Sequence, residues 1–113
     1  MNQVEALAAL AVENWKLQAT LRRSATDLAE EKRARVEAQL RYSSGQLERI
    51  LAEADMRLVT FEGEEFSAEL PVSPVNAEDL EGAKLTFVDQ TLEPTVVAAG
   101  SVIRIGRVLL RGQ

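Results

Sequence analysis

The chemically capable side chains that lie closest together in this sequence are carboxylates. Four glutamates fall in one short segment: Glu62, Glu64, Glu65 and Glu69. Oxygen ligands at such density can hold a hard cation such as Ca²⁺. The segment lacks the alternating ligand loop of an EF-hand, however. We therefore interpret it as a solvated acidic surface and expect no metal site.

The residues that carry most enzymatic chemistry are missing from the chain. It contains no histidine and no cysteine, so the commonest general base, the soft metal ligands and the thiol nucleophile are all absent. Neither a P-loop nor a dinucleotide-binding fingerprint is present. We expect a protein that is not an enzyme and that uses no cofactor.

Composition and charge argue against two classes of binding partner, membranes and nucleic acids. The 113 residues are 46% hydrophobic and 27% charged, which is typical of a folded chain. The apolar run Val4–Val12 is too short to span a bilayer, and no secretion signal is evident, so we expect a cytoplasmic protein without a membrane partner. Residues 1–57 hold nine basic and nine acidic side chains, whereas residues 58–113 hold four basic and nine acidic ones. A second half of net charge −5 is a poor match for nucleic acid.

The first half of the chain is predicted to be one long helix over residues 1–56. It contains no proline and a single glycine, Gly45, and strong helix formers dominate it. Asn2 followed by Glu5 resembles a capping box at its start. Gly45 weakens the helix, so a break near residues 43–45 is as consistent with the sequence as straight continuation.

Apolar residues of this helix follow a heptad pattern, which predicts pairing with a second helix. The pattern is interrupted, because eight residues separate Leu28 from Val36, and eleven-residue spacings run through the interruption; such spacings favour nearly straight paired helices. Asn14 at an a position favours a two-stranded parallel pair, so we expect a parallel homodimer. The predicted dimerisation residues are Leu7, Leu10, Asn14, Leu17, Leu21, Leu28, Val36, Leu40, Leu47 and Ile50.

A second, shorter apolar stripe lies on another side of the helix. It consists of Val4, Ala8, Ala11 and Trp15. Two interpretations remain open at this stage. The stripe widens the dimer seam, or it contacts another protein.

Residues 57–113 are predicted to form a small, mostly β domain. The predicted strands are Arg57–Glu62, Lys84–Asp89, Thr95–Ala98 and Val102–Ile105 running on into Arg107–Arg111. Two prolines make Leu70–Val75 a loop or an edge strand. The expected core is Val59, Phe61, Phe66, Leu85, Phe87, Val96, Val102, Ile103, Val108 and Leu110. The predicted fold class is therefore α+β, a long coiled-coil-like helix followed by a small β domain.

Several segments, in order, resemble the GrpE-type nucleotide exchange factors. Leu47–Phe66 is similar to the join at which the family's helix runs into a strand and an E-G-x-x-F-D-P motif, and Glu62–Phe66 matches the first part of that motif. Val88–Gln90 resembles the family's V-x-Q strand end. Gly100–Arg104 resembles its G-R-V-L-R segment, and Val108 matches the valine of its final strand.

The resemblance implies a co-chaperone with a helical stalk and two small β domains. In the family, one β domain wedges against the nucleotide-binding lobe of a DnaK-type chaperone, so that ADP leaves. The corresponding chaperone-facing positions are Asp89, Ser101 and Leu110, with Gln90 and Arg104 close by. Two structural alternatives stay open: Leu110 could belong to the core, and Arg104 could pair with an acid within the sheet.

The sequence also departs from the family pattern. Ser67–Ser73 replaces the family's D-P-x-x-H-E-A, and Thr91–Pro94 replaces an expected glycine–tyrosine pair. Ser101 stands where an arginine is usual. A divergent, shortened exchange factor is therefore expected. The alternative is a non-catalytic dimeric adaptor or assembly protein that keeps the architecture and has lost exchange activity.

Overall fold

A computed structural model describes all residues, 1–113, as two helices followed by six short strands, an α+β fold. The elements are α1 (Gln3–Ala25), α2 (Glu30–Glu53), β1 (Met56–Val59), β2 (Val72–Pro74), a 3-10 helix (Ala77–Leu80), β3 (Thr86–Glu93), β4 (Thr95–Ala98), β5 (Ser101–Arg104) and β6 (Gly106–Gly112). The chain divides into two compact units, Met1–Arg57 and Leu58–Gln113, here called the helical unit and the β unit.

The prediction of one long helix is wrong, because the helix breaks at residues 26–29. At the end of α1 the backbone hydrogen bonds join residues three apart instead of four. The Thr26 N–H donates to the Arg23 carbonyl at 3.3 Å, and the Leu28 N–H donates to the Ala25 carbonyl at 3.1 Å. The Thr26 hydroxyl also donates to the Arg23 carbonyl, at 2.8 Å. A threonine hydroxyl competes with the helix for its backbone partners. The break thus needs neither glycine nor proline.

Residues 43–45, where a break was considered, are helical and lie inside α2. The Ser43 hydroxyl accepts a hydrogen bond from Gln39 Nε2 at 2.9 Å, one turn earlier in the same helix. The predicted cap at the chain start is confirmed: Asn2 Oδ1 accepts a hydrogen bond from the Glu5 N–H at 2.8 Å.

Helices α1 and α2 contact each other within the helical unit. Asn14, Leu17, Gln18 and Leu21 of α1 line one groove together with Gln39, Leu40 and Ser43 of α2. Because only residues 26–29 join these two contacting helices, the helices run antiparallel. Ala8 and Ala11, members of the second apolar stripe, are each only 2% exposed in the single chain. Neither of them is available to a further protein. No helix of this protein is long and apolar enough to cross a membrane.

The six strands form two three-stranded sheets, with strand orders β1-β4-β5 and β2-β6-β3. β3 and β4 pair antiparallel with β6 and β5 respectively, whereas β2 pairs with β6 in parallel. The proline-containing strand β2 lies at a sheet edge, as expected of a strand that cannot donate all its ladder bonds.

The core of the β unit lies on the β2-β6-β3 sheet. Val72, Val88, Val108 and Leu110 are buried there, and Phe61, Phe66, Leu70 and Leu80 pack against them. Three predicted core residues lie on the surface instead: Leu85, Val102 and Ile103 are 43%, 46% and 39% exposed. Val102 and Ile103 are exposed because they lie on β5, which is an edge strand with an irregular register.

Candidate partner-binding surface of the β unit

The E-G-x-x-F segment lies directly against β3. The Gly63 N–H donates to the Val88 carbonyl at 2.8 Å, and the Val88 N–H donates to the Glu64 carbonyl at 2.9 Å. Gly63 has a φ of 85°, a left-handed conformation that favours glycine. The Glu62 carboxylate also accepts a hydrogen bond from the Thr91 hydroxyl. The motif therefore holds the middle of β3 in place, immediately before Asp89.

Asp89 and Gln90 lie at an irregularity of β3. Val88 pairs with Leu110 and Gln90 with Leu109, so Asp89 is an extra residue with no counterpart on β6. Such a bulge redirects a side chain out of the regular sheet pattern. Both Asp89 and Gln90 are exposed, in agreement with a position on a binding surface.

Arg111 joins Asp89 and Phe87 into one surface cluster. Its guanidinium lies 3.6 Å from the Asp89 carboxylate and 5.5 Å from the centroid of the Phe87 ring. The same guanidinium donates to the Val88 carbonyl at 3.3 Å. Sequence reasoning missed Arg111, although its two-residue alternation with Leu109 and Arg107 in β6 was visible.

Ser101 and Arg104 lie at opposite ends of β5. Ser101 is exposed, whereas the Arg104 side chain is 36% exposed and lies 3.9 Å from the carboxylate of Glu93. Arg104 therefore pairs with an acid of the same unit, as one alternative expected, but Glu93 lies on β3 in the other sheet and not within the sheet of β5. This contact leaves part of the guanidinium at the surface, where it can still meet a partner.

Leu110 is not a surface residue, which corrects its assignment as partner-binding. It is 5% exposed and belongs to the core of the β unit. Side chains alternate along β6, so that Gly106, Val108 and Leu110 are buried while Arg107 and Arg111 are exposed. The resemblance predicted a surface role for Leu110, but the alternation along β6 directs its side chain into the core.

An exposed apolar surface on and after β5 was not anticipated as a site. Val102, Ile103 and Ile105 are 46%, 39% and 58% exposed. Val96 pairs with Arg104 and Val97 with Val102, so Ile103 is an extra residue on β5. The bulge explains why two consecutive apolar residues both face solvent. We call Val102, Ile103 and Ile105 the β5 surface.

The Thr91–Pro94 departure extends a strand rather than a loop. Residues 91–93 continue β3, and only Pro94 separates β3 from β4. Thr91 is 8% exposed and Thr95 is 1% exposed. The segment that replaces the family's glycine–tyrosine pair is thus part of the folded sheet structure.

The glutamates Glu62, Glu64, Glu65 and Glu69 are all exposed, and no group of three or more acidic side chains is arranged to hold a metal ion. No protein-family model, no curated protein and no solved structure matches this chain. The geometry of the β unit and the order of its motifs are the basis for assigning a function.

Proposed function

We propose that this protein is a cytoplasmic co-chaperone, a homodimer whose β unit binds the ATPase domain of a DnaK-type chaperone and accelerates the release of ADP. The proposal rests on the ordered resemblance of Glu62–Phe66, Val88–Gln90 and Gly100–Arg104 to GrpE-type factors. It also rests on one structural observation, the exposed β5 surface, which overlaps the Gly100–Arg104 segment.

The β5 surface supports a docking role for the β unit. Three branched apolar side chains lie exposed in four consecutive positions, with Arg104 between them. Contiguous exposed apolar residues rimmed by polar ones are typical of protein-binding sites. The Asp89–Arg111 pair supplies charged groups on the same unit. A partner with apolar side chains and a charged rim would match this composition.

The proposed mechanism is catalysis of exchange by binding. The β unit would bind the open nucleotide-binding lobe more tightly than the closed one and so shift the population towards the open state. A tenfold faster release of ADP needs a difference of only about 1.4 kcal/mol. A single small interface can supply that difference. No residue of this protein would react with the nucleotide.

The proposed homodimer involves the helical unit. Leu10, Leu17 and Leu21 are 68%, 73% and 43% exposed in the single chain, at heptad positions of α1. A second parallel copy of α1 would cover them. Among the other predicted dimerisation residues, Leu40 is already buried at 4% exposure, so the pairing proposed here relies on α1 rather than on one seam through both helices.

The test is a displacement assay. A DnaK-type chaperone from the same source is loaded with fluorescent ADP, mixed with excess unlabelled ADP, and the release rate is measured at increasing concentrations of this protein. We expect the rate to rise and then saturate. An unchanged rate with every cognate DnaK-type chaperone, at saturating protein, would eliminate the proposal.

A dimeric adaptor without exchange activity is the second candidate. The exposed Ser101, in place of a usual arginine, favours it, because one possible ion pair with the chaperone is missing. It predicts a stable complex, measured by calorimetry, in which the release rate of ADP is unchanged. The two candidates therefore differ in the release rate and not in the affinity.

A further inference from the structure

The β2-β6-β3 sheet has both of its edges closed to a further strand. On the β3 side, the Gly63 N–H donates to the Val88 carbonyl and the Phe66 N–H donates to the Thr86 carbonyl, each at 2.8 Å. On the β2 side, Pro74 lies within the strand and removes a backbone donor. Covering segments and prolines of this kind prevent a sheet edge from pairing with another chain.

The sheet edge formed by β5 has no such cover. β5 pairs with β4 on one side only, and no hydrogen bond joins the backbone of Ser101–Arg104 to a residue outside the β4–β5 hairpin. The strand contains neither proline nor lysine, two residues that commonly blunt an edge. Its one charged side chain, Arg104, lies 3.9 Å from the Glu93 carboxylate. Backbone donors and acceptors on the outer side of β5 are therefore open to a partner.

The β4–β5 hairpin holds this edge in a strand conformation before any partner binds. Ala99 and Gly100, which join the two strands, have φ values of 51° and 79°. Positive φ at both central residues is typical of a type I′ turn, whose twist matches that of the flanking strands. The pairing of Ala98 with Ser101 follows directly from this turn. A preformed edge reduces the conformational entropy that is lost on binding.

The side chains and the charge of the β unit indicate what kind of segment fits the edge. A strand added to β5 would lie beside the exposed branched side chains of Val102, Ile103 and Ile105, and pairs of β-branched residues across strands are favourable. Residues 58–113 hold four basic and nine acidic side chains, so the field of the β unit attracts a positive segment. An open ladder also requires an extended backbone, which neither a helix nor a lipid surface supplies.

We infer that the outer edge of β5 binds an extended segment of another polypeptide, in which branched apolar and basic residues alternate, by addition of a strand to the sheet. Such segments are accessible in chains that have not yet folded. The inference goes beyond nucleotide exchange and does not depend on it. The bulge at Ile103 interrupts the regular ladder, so the added strand gains few backbone bonds and is expected to bind weakly and reversibly.

A peptide titration tests strand addition directly. The probe is a short fluorescent peptide of alternating valine and lysine, added to the full chain at low ionic strength and followed by fluorescence anisotropy. We expect saturable binding. The same peptide with N-methyl groups on alternate backbone nitrogens keeps its side chains and charge but loses ladder donors, so it should not bind. Replacing its lysines by glutamates should weaken binding by about tenfold or more.

A pair of variants tests the position of the site. Val102→Lys introduces on β5 the residue that commonly protects natural edges, and we expect the affinity for the valine–lysine peptide to fall by about tenfold or more. Leu85→Lys makes the same change in size and charge at a similar exposure, 43% against 46%, and lies outside the strands. This control should bind the peptide as wild type does. Unchanged circular dichroism of both variants shows that the fold is kept.

Three results would overturn the inference. Equal binding of the N-methylated and unmodified peptides would show that side chains, and not the strand edge, hold the peptide. Equal loss of affinity in Val102→Lys and Leu85→Lys would remove β5 as the site. Wild type that binds none of the peptides would exclude strand addition. The release assay for ADP contains no peptide and would still test exchange separately.

Discussion

The side chain of Asn76 forms two hydrogen bonds with the backbone of Leu110, one with its N–H and one with its carbonyl, as a neighbouring strand would. Asn76 Nδ2 donates to the Leu110 carbonyl at 2.9 Å, and Asn76 Oδ1 accepts from the Leu110 N–H at 2.8 Å. The bonds join residues that are far apart in sequence. They therefore hold the segment that follows β2 against β6.

Asn76→Ala should destabilise the β unit. Both backbone groups of Leu110 would lose their partner in a partly buried position, and an unsatisfied buried group costs about 1–3 kcal/mol. Urea unfolding followed by circular dichroism measures the change in the free energy of unfolding. Gln90→Ala, at an exposed position, is the control and should change it little. Equal stability of Asn76→Ala and wild type would contradict this role.

Gly106→Ala should also destabilise the protein, for a steric reason. A Cβ atom at this position would lie 2.7 Å from the Glu93 carbonyl oxygen and 2.8 Å from the Thr95 backbone nitrogen. These are backbone atoms at the end of β3 and the start of β4, and they cannot move aside cheaply. We expect a loss of about 1–3 kcal/mol. A thermal midpoint equal to that of wild type would show that the strands can separate without cost.

Gly45→Ala should have the opposite effect. Gly45 lies within α2, and a Cβ atom there would meet nothing within 4 Å. Alanine in a helix interior is more favourable than glycine by about 0.5–1 kcal/mol. Thermal unfolding of the variant should therefore have a higher midpoint. A lower midpoint would contradict the open space around Gly45.

Asp89→Lys should weaken binding of the chaperone without unfolding the β unit. The substitution places a lysine beside Arg111 on the proposed surface, but the Asp89–Arg111 pair is about half exposed and contributes little to stability. Calorimetric titration of the chaperone should show reduced affinity. Glu69→Lys makes the same charge change at an exposed residue outside that cluster and should bind as wild type does. Equal affinities for both variants would remove Asp89 from the surface.

The helix break illustrates what the sequence predicts and what it leaves open. Composition predicted helix throughout, and no glycine or proline lies in residues 26–29. The signal present was the eight-residue step from Leu28 to Val36, at which the two heptad frames fail to join. That step marks the change from α1 to α2. Spacing rules locate such an interruption but do not distinguish a supercoil change from a turn.

The binding surface was also predicted only in part, because strand register and bulges decide which side chains are exposed. The alternation in β6 buries Leu110, and the bulges in β3 and β5 expose Asp89 and Ile103. A bulge adds one residue to one strand, so it reverses the in-and-out pattern beyond it. The residue types of β5 look like core, and only the pairing with β4 places Val102 and Ile103 at the surface.

The dissociation rate of fluorescent ADP from a DnaK-type chaperone, with wild type and Val102→Asp compared at saturating concentration, tests the central claim most directly. Val102 is 46% exposed, so the aspartate should be tolerated by the fold. We expect the wild type to raise the rate by about tenfold or more and the variant to lose most of that effect. An unchanged rate with wild type, or equal acceleration by both proteins, would contradict a β5 surface that opens the chaperone.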